Sequence, residues 1–248
     1  YLKKICMTYV DIDLYSVFPV NTNMGWIEMV EQSNTLYDIK YKFKCTLQNY
    51  IMDLNPNATV SQIREKFIKT CVSSCVLCYV LGVGDRHMEN ILVTKLGKLL
   101  HIDFSYILGD DPKHLKVEMK ITEDMLQMLG GQNSESFKIF KKYCKEAYKL
   151  LRQRSSLWYI LLTYLEFSIP SIDKYKYNSE TIRNHVIERL IPGESDIEAS
   201  MQIIDIVERS SYTTWGQNFS DWSHTIGNSM RNIKTTIFNQ NTQFNMDL

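Results

Sequence analysis

Two short polar motifs lie close together near the middle of this sequence, and their residue types suit metal binding. Asn90 lies five residues after Asp85, and Asp103 lies thirteen residues after Asn90. Residues 91–94 and 99–102 are largely apolar and flank a glycine-containing turn, which predicts a β-hairpin. Antiparallel pairing would place Asn90, just before the first strand, beside Asp103, just after the second. An amide oxygen next to a carboxylate is a hard-oxygen pair that suits Mg²⁺.

The loop before Asn90 carries the candidates for proton transfer. Asp85 and His87 both precede Asn90 on this loop, so either could receive or orient the proton of a substrate hydroxyl. A neutral histidine near its ordinary pKa is a competent base, whereas a carboxylate would act through orientation. The sequence leaves this choice open. Arg86 could neutralise a phosphate or hold the loop, and we favour the structural role.

The same spacings occur in a known group of enzymes. An Asp, an Asn five residues later, a hairpin and an Asp-Phe pair form the catalytic loop and metal-binding triplet of protein kinases. Here the order is Asp-Arg-His instead of His-Arg-Asp. With Gly84 before Asp85, Ile91 after Asn90 and a His-Ile-Asp-Phe run at residues 101–104, the chain resembles the phosphatidylinositol 3- and 4-kinase family. The alternative is a loop ion pair and a turn-capping Asp, which would have to explain each spacing separately.

The resemblance implies a fold and a domain order. The expected class is α+β, a protein-kinase-like catalytic fold with a mostly helical large lobe, a catalytic β-hairpin and a largely missing N-terminal lobe. Residues 1–30 would be the end of the small lobe and the hinge, and residues 31–222 the large lobe. Residues 223–248 would be a C-terminal tail, which either forms an amphipathic helix on a membrane or docks on its own domain.

The resemblance also implies a nucleotide site that uses ATP and Mg²⁺ or Mn²⁺. Residues 25–30 are similar to the family's hinge pattern, so backbone groups of Glu28 and Val30 would hydrogen-bond adenine. Leu92 and Ile102 would line the floor and back of the adenine pocket. Asn90 and Asp103 would be the metal ligands. Taken alone, residues 25–30 would be interpreted as an ordinary edge strand, and the two apolar residues as hairpin core.

The loop after Phe104 would select the substrate. Residues 106–109, 111–113 and 119–120 look most like those of class III phosphatidylinositol 3-kinases, whose substrate is the unphosphorylated lipid. The expected reaction is transfer of the ATP γ-phosphate to an inositol-lipid hydroxyl, with the 3-position favoured. Four cationic residues could meet a headgroup phosphate: Lys113, His114, Lys116 and Lys120. The alternative is a charged, solvated loop.

Three departures from the family pattern keep other functions open. Ser105 stands where a glycine is expected, and Asp110 stands where class III enzymes usually carry a basic residue. Lys3 and Lys4 are predicted on a helix and cannot replace the strand lysine that grips the ATP phosphates. The alternatives are a kinase that acts at the inositol 4-position or on protein Ser/Thr, and a catalytically impaired module that binds nucleotide or partner proteins.

Composition limits the partners and the compartment. The 248 residues include 28 Lys and Arg and 28 Asp and Glu, so net charge does not favour nucleic acid. The longest apolar stretch, residues 72–83, is shorter than the roughly 20 residues that span a bilayer, and no signal-peptide pattern is present. We expect a cytoplasmic protein, peripheral at membranes, with phosphatidylinositol as partner. The resemblance also allows for regulatory protein subunits.

Apolar periodicity predicts the elements that position these residues. A long helix should begin after Thr59 and end at Gly82. Cys71, Cys75 and Cys78 lie on one face of this helix; their spacing also fits a [4Fe–4S] motif, but such motifs lie in irregular loops, so we interpret them as core. The other predicted elements are strands at 15–20 and 25–30, two short helices within 36–57, and helices at 1–13, 122–129, 134–154, 157–166, 181–190 and 195–222.

Overall fold

The computed structural model describes residues 9–21, 24–112, 117–168 and 177–212. Within these ranges the strands are β1 Val17–Asn21, β2 Met24–Ile27, β3 Ser33–Thr35, β4 Ile91–Thr94 and β5 Leu99–His101. The α-helices are α1 Leu47–Leu54, α2 Val60–Leu81, α3 Glu123–Met128, α4 Glu135–Arg152, α5 Ser155–Ser168, α6 Ser179–Leu190 and α7 Asp196–Tyr212. A π-helical turn at Asp38–Lys42 and a 3₁₀ turn at Met88–Asn90 complete this part of the chain. Helices dominate two small sheets, which agrees with the predicted α+β class.

Helix α2 is the central element of the core, and both of its predicted ends are confirmed. Thr59 accepts a hydrogen bond from the Gln62 amide through its side chain and donates its own amide to the Gln62 side chain, a capping box. Gly82 ends the helix with φ of 60°, in the left-handed region that glycine adopts without strain. The helix packs against α4, α6 and β5, and α4 packs in turn against α7.

The three cysteines of α2 lie in the core, which confirms the packing interpretation. Cys71 and Cys75 are 0% and 1% exposed, and their sulfur atoms are 4.0 Å apart. Burial of this kind is typical of free cysteine acting as a small apolar side chain. Cys78, one turn further along, is also buried and contacts a histidine of β5.

The strands form two separate antiparallel sheets. Strands β1 and β2 make a hairpin whose apolar side chains are exposed, including Phe18 and Trp26. Strands β3, β4 and β5 make the second sheet, in the order β3-β4-β5, and β4 and β5 form the predicted hairpin. The connector between the two sheets is held by a 2.7 Å hydrogen bond from the Lys95 amide to the Gln32 carbonyl.

The structure differs from the predicted elements at three places, the first being β3, for which the sequence predicted no strand. Residues 9–13 are not helical, because their backbone bonds to α2 instead: the Asp11 amide donates to the Lys69 carbonyl, and the Ser73 hydroxyl donates to the Asp11 carbonyl. Helix α6 begins at Ser179, capped by Asn178, two residues before the predicted start at 181. Residues 1–8 and 213–248, with the predicted tail, lie outside the described residues.

Among the helices in the ranges given above, none combines the length and the apolar character that crossing a bilayer requires.

His185 of α6 is buried against the last turn of α2. Its Nε2 atom lies 2.9 Å from the carbonyl oxygen of Val80, and burial lowers the pKa of the imidazole. Below pH about 6.5 the unfolded chain therefore binds a proton at this residue that the folded chain does not bind. The free energy of unfolding must consequently fall as the pH decreases through this range.

This linkage predicts a measurable change in pH dependence. The His185→Gln substitution removes the titrating imidazole and supplies a side-chain amide as a hydrogen-bond donor in its place. We expect the wild-type free energy of unfolding to decrease between pH 7 and pH 5 by up to about 1.4 kcal/mol per pH unit more than that of the variant. Urea denaturation at a series of pH values measures both slopes. Equal slopes would contradict the prediction.

Candidate active site

The β4–β5 hairpin brings Asn90 and Asp103 to the same end of the sheet. Ile91 pairs with His101, and the Ile102 amide donates to the Asn90 carbonyl at 3.1 Å, which extends the ladder by one residue beyond the strands. Asp103 follows directly. The juxtaposition predicted from the sequence is therefore confirmed, while the role of the two residues as metal ligands stays a prediction.

The side chains of this pair present oxygen atoms of the kind that a hard divalent cation prefers. The Asn90 Nδ2 atom donates to the Asp85 carbonyl at 3.0 Å, which leaves Oδ1 as the amide atom for a cation. The Asp103 carboxylate accepts hydrogen bonds from the Ser105 hydroxyl at 2.6 Å and the Ser105 amide at 3.0 Å. These bonds lower the pKa of the Asp103 carboxyl, so it is ionised at neutral pH. The donor set fits Mg²⁺ or Mn²⁺.

The guanidinium of Arg86 connects the loop to the end of the hairpin. Its Nε donates to the Gly84 carbonyl at 2.8 Å, one terminal nitrogen donates to the Ile102 carbonyl at 2.7 Å, and the other donates to the Asp103 carbonyl. Arg86 is 9% exposed. These contacts support the structural role that we favoured from the sequence.

Asp85 and His87 lie together on the loop before Asn90, the predicted catalytic loop. The Asp85 Oδ2 and His87 Nε2 atoms are 3.6 Å apart, and both side chains are mostly enclosed. The loop is held by backbone hydrogen bonds from the His87 amide to the Asp85 carbonyl and from the Asn90 amide to the His87 carbonyl. Glu89, which the sequence did not single out, places a carboxylate oxygen 3.8 Å from His87 Nδ1. The geometry allows either Asp85 or His87 to act as the base.

The segment after Phe104 folds back onto the start of the catalytic loop, a contact that the sequence did not predict. The Gly84 amide donates to the Tyr106 carbonyl at 3.0 Å, and the Gly109 amide donates to the Gly82 carbonyl at 2.9 Å. A Cβ atom on Gly84 would lie 2.1 Å from the Asp110 carbonyl oxygen. The two glycines at alternate positions were the available signal, because close backbone approach requires them.

This close approach predicts that Gly84→Ala destabilises the protein. The added methyl group must displace backbone of the opposite segment, so we expect a loss of about 1–3 kcal/mol in the free energy of unfolding. Gly193→Ala is the matched control, because a Cβ atom there meets nothing within 4 Å. Chemical denaturation compares the two variants. Equal stability of the two would show that the segments do not pack as described.

The predicted hinge at residues 28–30 leads into β3, which pairs with β4. The Glu28 amide donates to the Ser16 carbonyl, and the Val30 carbonyl accepts from the Ser33 hydroxyl. Within the described part of the chain, the Glu28 carbonyl and the Val30 amide make no hydrogen bond. Their contact with adenine stays a prediction.

The two predicted pocket-lining residues differ in burial from the neighbouring strand residues that form the core. Ile91 and Val93 are fully buried in the core, whereas Leu92 between them is half-buried and therefore lies on the opposite face of β4. Ile102 is also half-buried. Partial exposure of this kind agrees with the wall of an open cleft.

The structure describes only one residue of the predicted cationic set for the substrate headgroup. Lys113, His114 and Lys116 lie outside the described residues. Lys120 is only 6% exposed, and its charge acts on the buried imidazole of His101. The structure thus differs from the expectation for Lys120, because its side chain is enclosed by the core and does not reach a solvent-exposed surface.

Ser105 gives a direct test of the metal pair. Replacing Ser105→Ala removes the hydroxyl that competes for an Asp103 carboxylate oxygen. We expect the dissociation constant for Mn²⁺ to fall by a factor of about two to ten, equivalent to about 0.5–1.5 kcal/mol. Electron paramagnetic resonance with Mn²⁺ alone measures it, and Ser61→Ala, at an exposed position in the first turn of α2, serves as a serine control outside the site. An unchanged dissociation constant would show that the Ser105 hydroxyl does not influence metal binding.

Comparisons with known proteins agree on one family. The family described as phosphatidylinositol 3- and 4-kinase matches residues 3–168. Phosphatidylinositol 3-kinase pik3 of Schizosaccharomyces pombe is 30% identical over 226 residues, which cover 88% of this chain and 28% of that protein. Phosphatidylinositol 3-kinase VPS34 of Saccharomyces cerevisiae is 34% identical over 209 residues, covering 81% of this chain and 23% of that protein. VPS34 of Arabidopsis thaliana is 35% identical over 148 residues, with 58% and 18% covered. The chain thus spans less than a third of the length of each of these relatives.

Proposed function

Because this chain belongs to the phosphatidylinositol 3- and 4-kinase family, we propose that it transfers the γ-phosphate of ATP to the 3-hydroxyl of an inositol lipid. The observation that carries the proposal is the position of Asn90 beside Asp103 at the open end of the hairpin. The relatives reported above are named phosphatidylinositol 3-kinases, which supports the 3-position.

The residues of the site divide the work of phosphoryl transfer among them. Bound ATP with a divalent cation supplies the phosphoryl group and neutralises the charge that develops on it. The Asn90 amide oxygen and the Asp103 carboxylate would hold the cation. Arg86 would act through backbone carbonyls as a positioning residue. Glu28, Val30, Leu92 and Ile102 would hold the base.

Proton transfer from the lipid hydroxyl falls to the Asp85–His87 pair. The 3.6 Å between their side-chain atoms is longer than a direct hydrogen bond, but the Asp85 carboxylate lies close enough to attract the His87 imidazole once it has taken up a proton. If His87 receives the proton, Asp85 would orient its imidazole. If Asp85 receives the proton, His87 would orient the lipid hydroxyl.

The proposed setting is the cytoplasmic face of a membrane. Phosphatidylinositol carries a single headgroup phosphate on an apolar anchor, so the site must meet it at a lipid surface. We propose peripheral attachment, with the loop at residues 106–120 facing the headgroup. We also propose regulatory protein subunits as partners.

A second function is favoured by one observation at Ser105. This residue places two hydrogen bonds on the carboxylate that should coordinate the metal, where the family pattern has a glycine. A side chain there restricts the backbone, which could leave nucleotide binding intact while slowing turnover. A nucleotide-binding module without lipid turnover is therefore the second candidate.

Activity should be measured in a polypeptide extended upstream of Tyr1, with vesicles that contain phosphatidylinositol. Loss of a metal ligand removes several kcal/mol of charge stabilisation, so Asp103→Ala should reduce turnover by about a thousandfold. The exposed Asp53→Ala is the matched control and should retain full activity.

The products separate the candidates. Phosphate at the inositol 3-position supports the proposal, whereas a product phosphorylated at the 4-position or on protein contradicts it. Mg²⁺-dependent ATP binding without lipid turnover would favour the second candidate. Full activity of Asp103→Ala would remove Asp103 from the metal site.

A further inference from the structure

The carboxylate of Asp111 contacts the backbone of the predicted catalytic loop. Its Oδ2 atom accepts a hydrogen bond from the Asp85 amide at 3.2 Å, and the two residues are 26 positions apart in the chain. Hydrogen bonds to a carboxylate are roughly twice as strong as those between neutral groups. Asp111 belongs to the loop that we propose to face the lipid headgroup. This bond therefore joins that loop to the residue that is one of the two candidate bases.

The backbone of Asp85 adopts a conformation that needs support. Its φ of 51° lies in the left-handed region, which is uncommon for a residue that carries a Cβ atom. Asp111 accepts from the N–H group of this residue, and the Asn90 Nδ2 atom donates to its carbonyl at 3.0 Å. Side chains from two different segments thus hold both polar backbone groups of Asp85. Because the backbone torsions set the direction of the Cα–Cβ bond, these bonds also fix the point from which the Asp85 carboxylate approaches His87.

The backbone of Asp111 is itself packed on more than one side. Pro112 follows it, which disfavours helical torsions at Asp111 and leaves extended backbone. A Cβ atom on Gly84 would lie 3.0 Å from the Asp111 Cα atom, so the two segments are in close contact here. The neighbouring Asp110 accepts a hydrogen bond from the Tyr177 hydroxyl at 3.4 Å, next to the cap of α6. The carboxylate of Asp111 is therefore presented to the Asp85 amide from a supported position.

We propose that Asp111 is a positioning residue for phosphoryl transfer. It holds the backbone of Asp85, and through it the Asp85–His87 pair that takes up the proton of the lipid hydroxyl. This inference rests on the proposed function and deepens it, because it connects the loop that faces the headgroup to the loop that receives the proton. Since Asp111 acts through one acceptor oxygen, asparagine should be able to replace it and alanine should not.

The contact is tested first in the full 248-residue chain, with a measurement that needs no activity. Amide hydrogen exchange followed by NMR reports the protection of the Asp85 amide. We expect exchange at Asp85 to be about tenfold faster in Asp111→Ala than in the wild type, and within about threefold of the wild type in Asp111→Asn. The Phe67 amide inside α2 should exchange equally in all three proteins, which shows that the fold is intact.

Turnover is measured next in the polypeptide extended upstream of Tyr1, with vesicles that contain phosphatidylinositol. We expect Asp111→Ala to lower kcat by about tenfold to a hundredfold, because a small displacement of the proton-accepting pair slows the reaction. KM for lipid and for ATP should stay within about twofold. Asp111→Asn should recover most of the wild-type kcat, and the exposed Asp53→Ala should retain all of it.

The outcomes separate a positioning role from the other possibilities. Equal Asp85 exchange or equal kcat in the wild type and Asp111→Ala would overturn the proposal. A higher KM for lipid at unchanged kcat would also overturn it, because Asp111 would then bind an inositol hydroxyl directly. If Asp111→Ala unfolds, Asp111→Asn decides, and a loss of kcat there contradicts the proposal. If the wild type turns over no lipid, the proposed function fails as well, and the exchange rates still show whether the contact exists.

Discussion

The buried guanidinium of Arg86 is the interaction on which the arrangement of the site depends. It joins the loop at Gly84 to the residues that leave β5, two segments that the hairpin ladder alone does not connect. Asp85 and Asp103 have φ of 51° and 59°, a left-handed backbone that costs about 1–3 kcal/mol for each non-glycine residue. Hydrogen bonds to a charged group contribute about 1.5–3 kcal/mol each, so three of them are sufficient to offset this strain.

Local rules were enough to predict the parts of the site that lie on regular elements. The hairpin follows from alternating apolar residues around a glycine turn, and it alone places Asn90 beside Asp103. The ends of α2 follow from Thr59 and Gly82. Contacts between distant segments could not be predicted in this way. The pairing of residues 81–84 with 106–109 uses backbone groups and leaves no periodicity in the sequence.

The remaining errors arise where tertiary contacts override local preference. Residues 9–13 have helical spacing, but α2 offers their backbone groups alternative partners, and the packing decides. The sequence predicts Lys120 as a surface charge, because the residue type alone does not reveal that the side chain is buried. Cys78 was correctly placed in the core, yet its contact with His101 could not be seen because the two residues belong to different elements.

The short strand β3 has a mechanical consequence. Because β3 follows the connector and pairs with β4, Val30, which accepts a hydrogen bond from Ser33 of β3, is attached to the same sheet that carries Asn90. Glu28 is instead hydrogen-bonded to Ser16, next to β1. In the described part of the chain, the β1–β2 hairpin shares no ladder with that sheet. A rotation of β1–β2 about the connector would therefore move Glu28 relative to Val30, while the span from Val30 to the predicted metal ligands stays constant.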